Sequence, residues 1–212
     1  LNCQRVLDDQ IEFFDAAGYG ANLPPLQANA VGAGFFVTQP DNDGLVRRAP
    51  MLWKYEGDYY ESLTLAMARQ VLQAQVLPGF PPESRAGTGY SGMEWLQIAD
   101  RRIPVDEHIQ ALVPYRGPQG SFPYISATDV INGVADPNLL KGKIALVGTS
   151  AKGLVDLRAT PLSAAYPGVE VHANLLAGIL DGTIKDNPPY TLGGEFIVLI
   201  LSGLIMALLL PV

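Results

Sequence analysis

Phe196 to Val212, "FIVLILSGLIMALLLPV", carries no charged residue and almost no polar atom. A bilayer's hydrocarbon core, about 30 Å thick, takes a helix of roughly 17 to 25 such residues. At 17 residues the run sits at the lower edge of that range. The alternative, a helix buried in a soluble core, normally keeps a polar face, whereas this run is apolar all round. It therefore reads as a membrane helix, with the lipid bilayer as its partner through 196–212. The preceding "NPPYTLGGE" (187–195) reads as a loop: Pro188 and Pro189 end the structure before it, and Tyr190 suits the membrane–water interface. Residue 1 does not open a signal-like segment.

The remaining chain is long enough for one or two domains with a sizeable core: 212 residues in all, 48% hydrophobic. A net charge of −7 and a pI near 4.7 exclude a nucleic-acid surface, which needs clustered Lys and Arg. Here basic residues are scattered, with doublets only at Arg47-Arg48 and Arg101-Arg102. The single cysteine, Cys3, excludes an internal disulfide and a cysteine-based zinc site. "LNC" faintly resembles a lipoprotein cleavage box, but Asn2 is a poor residue before such a cysteine, so Cys3 reads as an ordinary thiol.

Along the chain, "QIEFFDAAGYGANLPP" (10–25) reads as a helix end followed by a Gly/Pro loop, and "VGAGFFVT" (31–38) as a buried strand. "QPDNDGLVRRAP" (39–50) is a turn by its Asn, Asp and Gly chemistry. "MLWKYEGDYY" continues as strand and turn, and Ser62 caps a helix from Leu63 to about Val76. A Pro/Gly-dense loop (77–92) leads to a hairpin in "MEWLQIADRRIPVD" (93–106), then a strand in "IQALVPYRG" (109–117). Ser126 and Asp129 form a capping box for a short helix closed by Gly133. Ile144 to Val147 reads as a short buried strand, and Gly168 to Leu180 as a helix with Val169, Ala173, Leu176 and Leu180 on one face. The expected class is α/β, a mixed sheet with flanking helices followed by a C-terminal transmembrane helix. Residues 1–30 form an irregular N-terminal segment, 31–187 the α/β domain, and 188–212 a loop and the start of the membrane helix.

The stretch after Ile144–Val147 resists enzymatic readings. Gly148 to Gly153 has the glycine spacing of a phosphate-binding loop, but Leu154 and Val155 stand where Lys and Ser/Thr are needed. Gly148-Thr149-Ser150-Ala151 lacks the second glycine of a nucleophile elbow, since Lys152 follows. His108 and His172, the only histidines, lack the paired spacing of a metal site, and no catalytic residue, metal or cofactor is implied. In "LVDLRATP" the polar Asp156, Arg158 and Thr160 alternate with apolar residues and share one face if extended. Asp156 and Arg158 pair with each other, with Glu170, or with a ligand. The first is a loop-fastening ion pair; the last uses the Arg fork that suits carboxylates. His172 satisfies a neighbouring carbonyl or carboxylate, or belongs to the same site. Asn174, on the helix's other side, is solvated or bonded to a nearby loop.

"DNDGLVRRAP" (41–50), "YYESLTLAMARQVL" (59–72) and the stretch from Tyr115 to Leu180 together resemble the CHASE2 family of extracytoplasmic sensor domains. The landmarks are Asp43-Gly44 with Arg47, Ser62-Leu63 with Ala68-Arg69, Phe122-Pro123, Ser126 to Val130, Lys143 to Gly148, Asp156, Thr160-Pro161, and Pro167 to Glu170 with His172 to Asn174. Their order over residues 32 to 182 carries the resemblance. It implies a signal-input module outside the bacterial cytoplasmic membrane, joined through membrane helices to an output such as an adenylate or other nucleotide cyclase or a kinase. The chain itself is then no enzyme, and Asp156, Arg158, Thr160, Glu170 and His172 are ligand-binding or signal-coupling candidates for an unknown small ligand. The family pattern normally starts with a membrane helix and an N-terminal α/β portion, so another copy or another chain is expected to cover the missing half. The alternative reading is a non-signalling scaffold subunit of a larger membrane complex.

Overall fold

The computed structural model describes residues 11–80, 92–149, 156–187 and 190–209. Cys3, the centre of the 77–92 loop, Ser150 to Val155 and Pro188-Pro189 lie outside them, so the expectations placed there have no structural counterpart.

The elements run α1 (Pro24–Ala28), β1 (Arg48–Pro50), β2 (Leu52–Tyr55), β3 (Asp58–Glu61), α2 (Leu63–Leu72), β4 (Val76–Gly79), β5 (Trp95–Ile98), β6 (Arg101–Pro104), β7 (Gln110–Leu112), α3 (Ala127–Ile131), α4 (Pro137–Leu140), β8 (Leu157–Thr160), β9 (Ser163–Pro167), α5 (Gly168–Asp181) and α6 (Tyr190–Leu209). This is an α/β arrangement ending in a long apolar helix, as the sequence predicts. The strands form small sheets: β1 with β7, β2 with β3, β4–β5–β6, and β8 with β9. Each of these ladders is antiparallel, and parallel pairing is confined to isolated bridges at Asp15–Lys54 and Phe35–Ser62.

Local chemistry explains the helices. Ser62 accepts a hydrogen bond from the Leu65 N–H at 3.2 Å and caps α2. The helix stops at Leu72, short of the expected Val76, because Gln73 turns left-handed (φ 48°) and Val76 pairs with Ile98 across β4 and β5. The short helix after Ser126 forms, but without the side-chain bond of a capping box.

α5 packs on α2, β6 and β9. Its buried apolar face is Val171, Leu175, Leu176 and Ile179. Of the expected stripe only Leu176 is buried; Val169, Ala173 and Leu180 are half-buried. The rotation has a local cause: Gly178 abuts the Pro114 ring so closely that a Cβ would collide with it. Met51, Leu65, Leu96, Ile98, Ile103, Ile109 and Tyr166 complete the core. Burying each large aliphatic side chain is worth about 1.5–3 kcal/mol.

Three expectations require correction. Residues 11–23 contain no helix end. Residues 31–38 form no strand beyond the Phe35 bridge, and Phe36 and Val37 are exposed. Ile144–Val147 joins no ladder, and Val147 is 94% exposed. A continuous apolar strand needs partners for its backbone groups, and among the described residues no strand pairs with it.

Candidate functional site

The five sequence candidates surround the N-terminal half of α5 without converging on one pocket. Asp156 and Arg158 form the expected ion pair at 3.1 Å, both partly exposed. The Asp156 carbonyl accepts from the Gly168 N–H at 2.8 Å, and its carboxylate lies against Gly168 so tightly that only glycine fits. An anion there complements the positive end of the helix dipole. A register irregularity between Arg158 and Thr160 sets Thr160 apart. Its buried hydroxyl donates to the Ser163 carbonyl at 3.1 Å and accepts from the Ser163 N–H, closing the β8–β9 turn.

His172 satisfies a carbonyl, one of the two roles expected of it. Its Nε2 lies 3.1 Å from the Phe36 oxygen. A carbonyl only accepts, so Nε2 carries the proton, and the buried Nδ1 of the neutral ring has no hydrogen-bond partner among the described residues. Burial pushes its pKa below the ordinary value; the Phe36 bond and nearby Asp156 oppose this, while Arg158 adds to it.

Glu170 points elsewhere. Only 2% exposed, it accepts from the N–H groups of Gly120 (3.0 Å) and Ser121 (3.0 Å) and from the Tyr124 hydroxyl (2.7 Å). Asn174 is fully buried, not solvated; it accepts from the Arg116 N–H and donates to the Tyr166 hydroxyl and the Glu170 carbonyl. Its bond to the loop at Arg116 was the other expected role. Arg116 also pairs with Asp181. α5 thus grips the 115–124 segment along its length.

A cleft that the sequence reading passed over lies at the 39–48 turn. It is a wide depression, open to solvent, of about 610 Å³ between this turn, Phe14, His108 and Gln110. Arg47 holds Asp41 at 2.8 Å and Asp43 at 2.7 Å. Its guanidinium holds the Asp43 carboxyl down at about 2. Arg48 reaches Asp106 at 3.5 Å and Asp41 at 3.7 Å. Asp43-Gly44 and Arg47 were legible as landmarks of a turn, but that they wall a cavity depends on Phe14 and Gln110, which are distant in sequence.

The cleft and α5 are linked through described contacts. Val46, between them, donates its N–H to the Ala159 carbonyl of β8 at 2.8 Å and accepts the Tyr115 hydroxyl at 2.8 Å. Tyr115 packs edge-on against Tyr166, ring centroids 5.5 Å apart, and Tyr166 holds Asn174 on α5. Among the described residues no group of His, Cys, Asp and Glu has the arrangement of a metal site.

A family model of the CHASE2 domain matches residues 4–209. Searches of curated proteins and of solved structures return no match.

Proposed function

Because the chain belongs to the CHASE2 family of extracytoplasmic sensor domains, we propose that it is the signal-input module of a bacterial transmembrane receptor, with its α/β body on the periplasmic side of the cytoplasmic membrane. As a sensor domain it is non-catalytic. The observation that carries the reading is the succession of α5 and α6. α5 holds Glu170 and His172 and ends at Asp181, Ile184 is buried against the core, and α6 starts at Tyr190. α6 has 20 residues, enough for about 30 Å of hydrocarbon, and is nowhere buried by the body.

In this reading, a bound ligand favours one of two placements of α5 against the body, and α6 carries the difference through the bilayer to a cyclase or kinase output. A ligand shifts such an equilibrium only by its differential affinity, commonly about 1 to 3 kcal/mol. Asp156, Arg158, Thr160, Glu170 and His172 are the coupling residues, since each ties α5 or the β8–β9 hairpin to a neighbour. A second copy or another chain covers the exposed Ile131, Val134 and Val147; residues 125–149 include no buried side chain.

The complete reading frame tests the proposal: a cyclase or kinase domain encoded after the membrane segment is expected, and a frame with no cytoplasmic output contradicts it. In that full-length protein, Arg158→Ala changes output by about fivefold or more. It moves stability by less than about 1 kcal/mol, as for other exposed ion pairs. Unchanged output in membranes would remove Arg158 from the coupling path.

A further inference from the structure

We propose that the cleft at the 39–48 turn binds a neutral, hydroxyl-rich ligand of the saccharide class. At about 610 Å³ it has the size of a small-molecule site, which typically spans roughly 300–1,000 Å³. Its polar lining is planar: the amides of Gln39, Asn42 and Gln110 and the carboxylates of Asp41 and Asp43. A sugar hydroxyl donates one hydrogen bond and accepts two; amides answer both roles and carboxylates answer the first.

The charge pattern selects against ionic ligands. Two lining carboxylates (Asp41, Asp43) face two lining guanidiniums (Arg47, Arg48), a net of zero, and each guanidinium already has a carboxylate partner. An anion finds no lining guanidinium without a carboxylate partner. A cation meets carboxylates whose charge Arg47 already balances at 2.7–2.9 Å. A neutral polyol uses the remaining lone pairs without breaking either arginine's contacts.

Phe14 supplies the apolar wall. Its ring packs against Trp53 and His108, centroids 6.1 and 5.4 Å apart, and so offers a fixed surface to the C–H face of a sugar ring. The cleft also adjoins Val46, whose backbone bonds lead to β8 and Tyr115. For its consequence, though not for binding itself, the proposal rests on the sensor reading.

The test is ligand-observed NMR on the full chain in lipid nanodiscs, with N,N′-diacetylchitobiose and maltose as neutral probes and glucuronate and glucosamine as charged ones. At least one neutral disaccharide shows saturation transfer. In the double variant Gln39→Ala, Asn42→Ala its dissociation constant rises about tenfold or more, while Gln97→Ala, on β5, leaves it unchanged. Both altered side chains are exposed, and an unchanged thermal midpoint confirms that the fold persists. Absence of transfer from both neutral probes, wild-type binding by the double variant, or tighter binding of glucuronate or glucosamine overturns the proposal. None of these results touches the membrane topology or the output domain, so the sensor reading stands or falls separately.

Discussion

Glu170 is almost fully buried yet spends its carboxylate on two backbone N–H groups and a phenol. A buried acceptor with charge-assisted bonds is costly to impair. Glu170→Gln turns an amide N–H₂ toward donors, and the expected loss is about 2 kcal/mol or more. It is measured as a lower urea midpoint with an unchanged m-value. His172 gives a pH signature of definite sign. Its folded pKa lies below the ordinary value of 6.5 because burial disfavours the cation, so the unfolded chain takes up a proton that the folded chain refuses. Its stabilising contribution is intact above about pH 6.5 and is lost as pH falls below it. The thermal midpoint should drop between about pH 7 and 5, and His172→Gln should remove part of that drop. At this scale legibility follows sequence distance. The Asp156–Arg158 pair is visible as a two-residue alternation, and a carbonyl partner for His172 was foreseeable in kind. The grip of Glu170 on Gly120 and Ser121 spans about fifty residues and has no local signature.

Helix α5 shows how a single glycine can set an element's rotation. Ala is the better helix former by about 1 kcal/mol, yet at position 178 its Cβ would strike the rigid Pro114 ring. Gly178→Ala should destabilise by about 1–3 kcal/mol, read by thermal unfolding. A stabilised variant would mean that Pro114 moves aside freely. The elements whose signals are local are legible in the sequence: the Ser62 cap, the β5–β6 hairpin within 93–106, and the apolar period of α5. Those that failed, 31–38 and 144–147, are apolar runs whose strand character depends on a neighbour. β propensity describes a fit to a half-buried pleated surface; among the described residues 31–38 meets one only at Phe35, and 144–147 joins no ladder. The rotation of α5 was misjudged for a related reason. Glu170 and Asn174 bond the 115–124 loop, which turns both side chains inward.

For the molecule as a whole, the feature most legible in the sequence is also the one that organises the account. The apolar tail becomes α6, starting at Tyr190, six residues earlier than the uncharged run itself, and residues 192–209 are exposed. Exposed apolar residues on every face of a 20-residue helix call for lipid. What the sequence did not reveal is the route from cleft to helix, because it passes through Val46, Tyr115, Tyr166 and Asn174, joined only by folding. The central claim is that the α/β body lies outside the cytoplasmic membrane and α6 crosses it. Thiol labelling at the exposed Gln119 tests this most directly. A Gln119→Cys, Cys3→Ser protein is treated in intact spheroplasts with a membrane-impermeant maleimide. The account predicts full labelling before lysis and no increase after it; labelling only after lysis would contradict it.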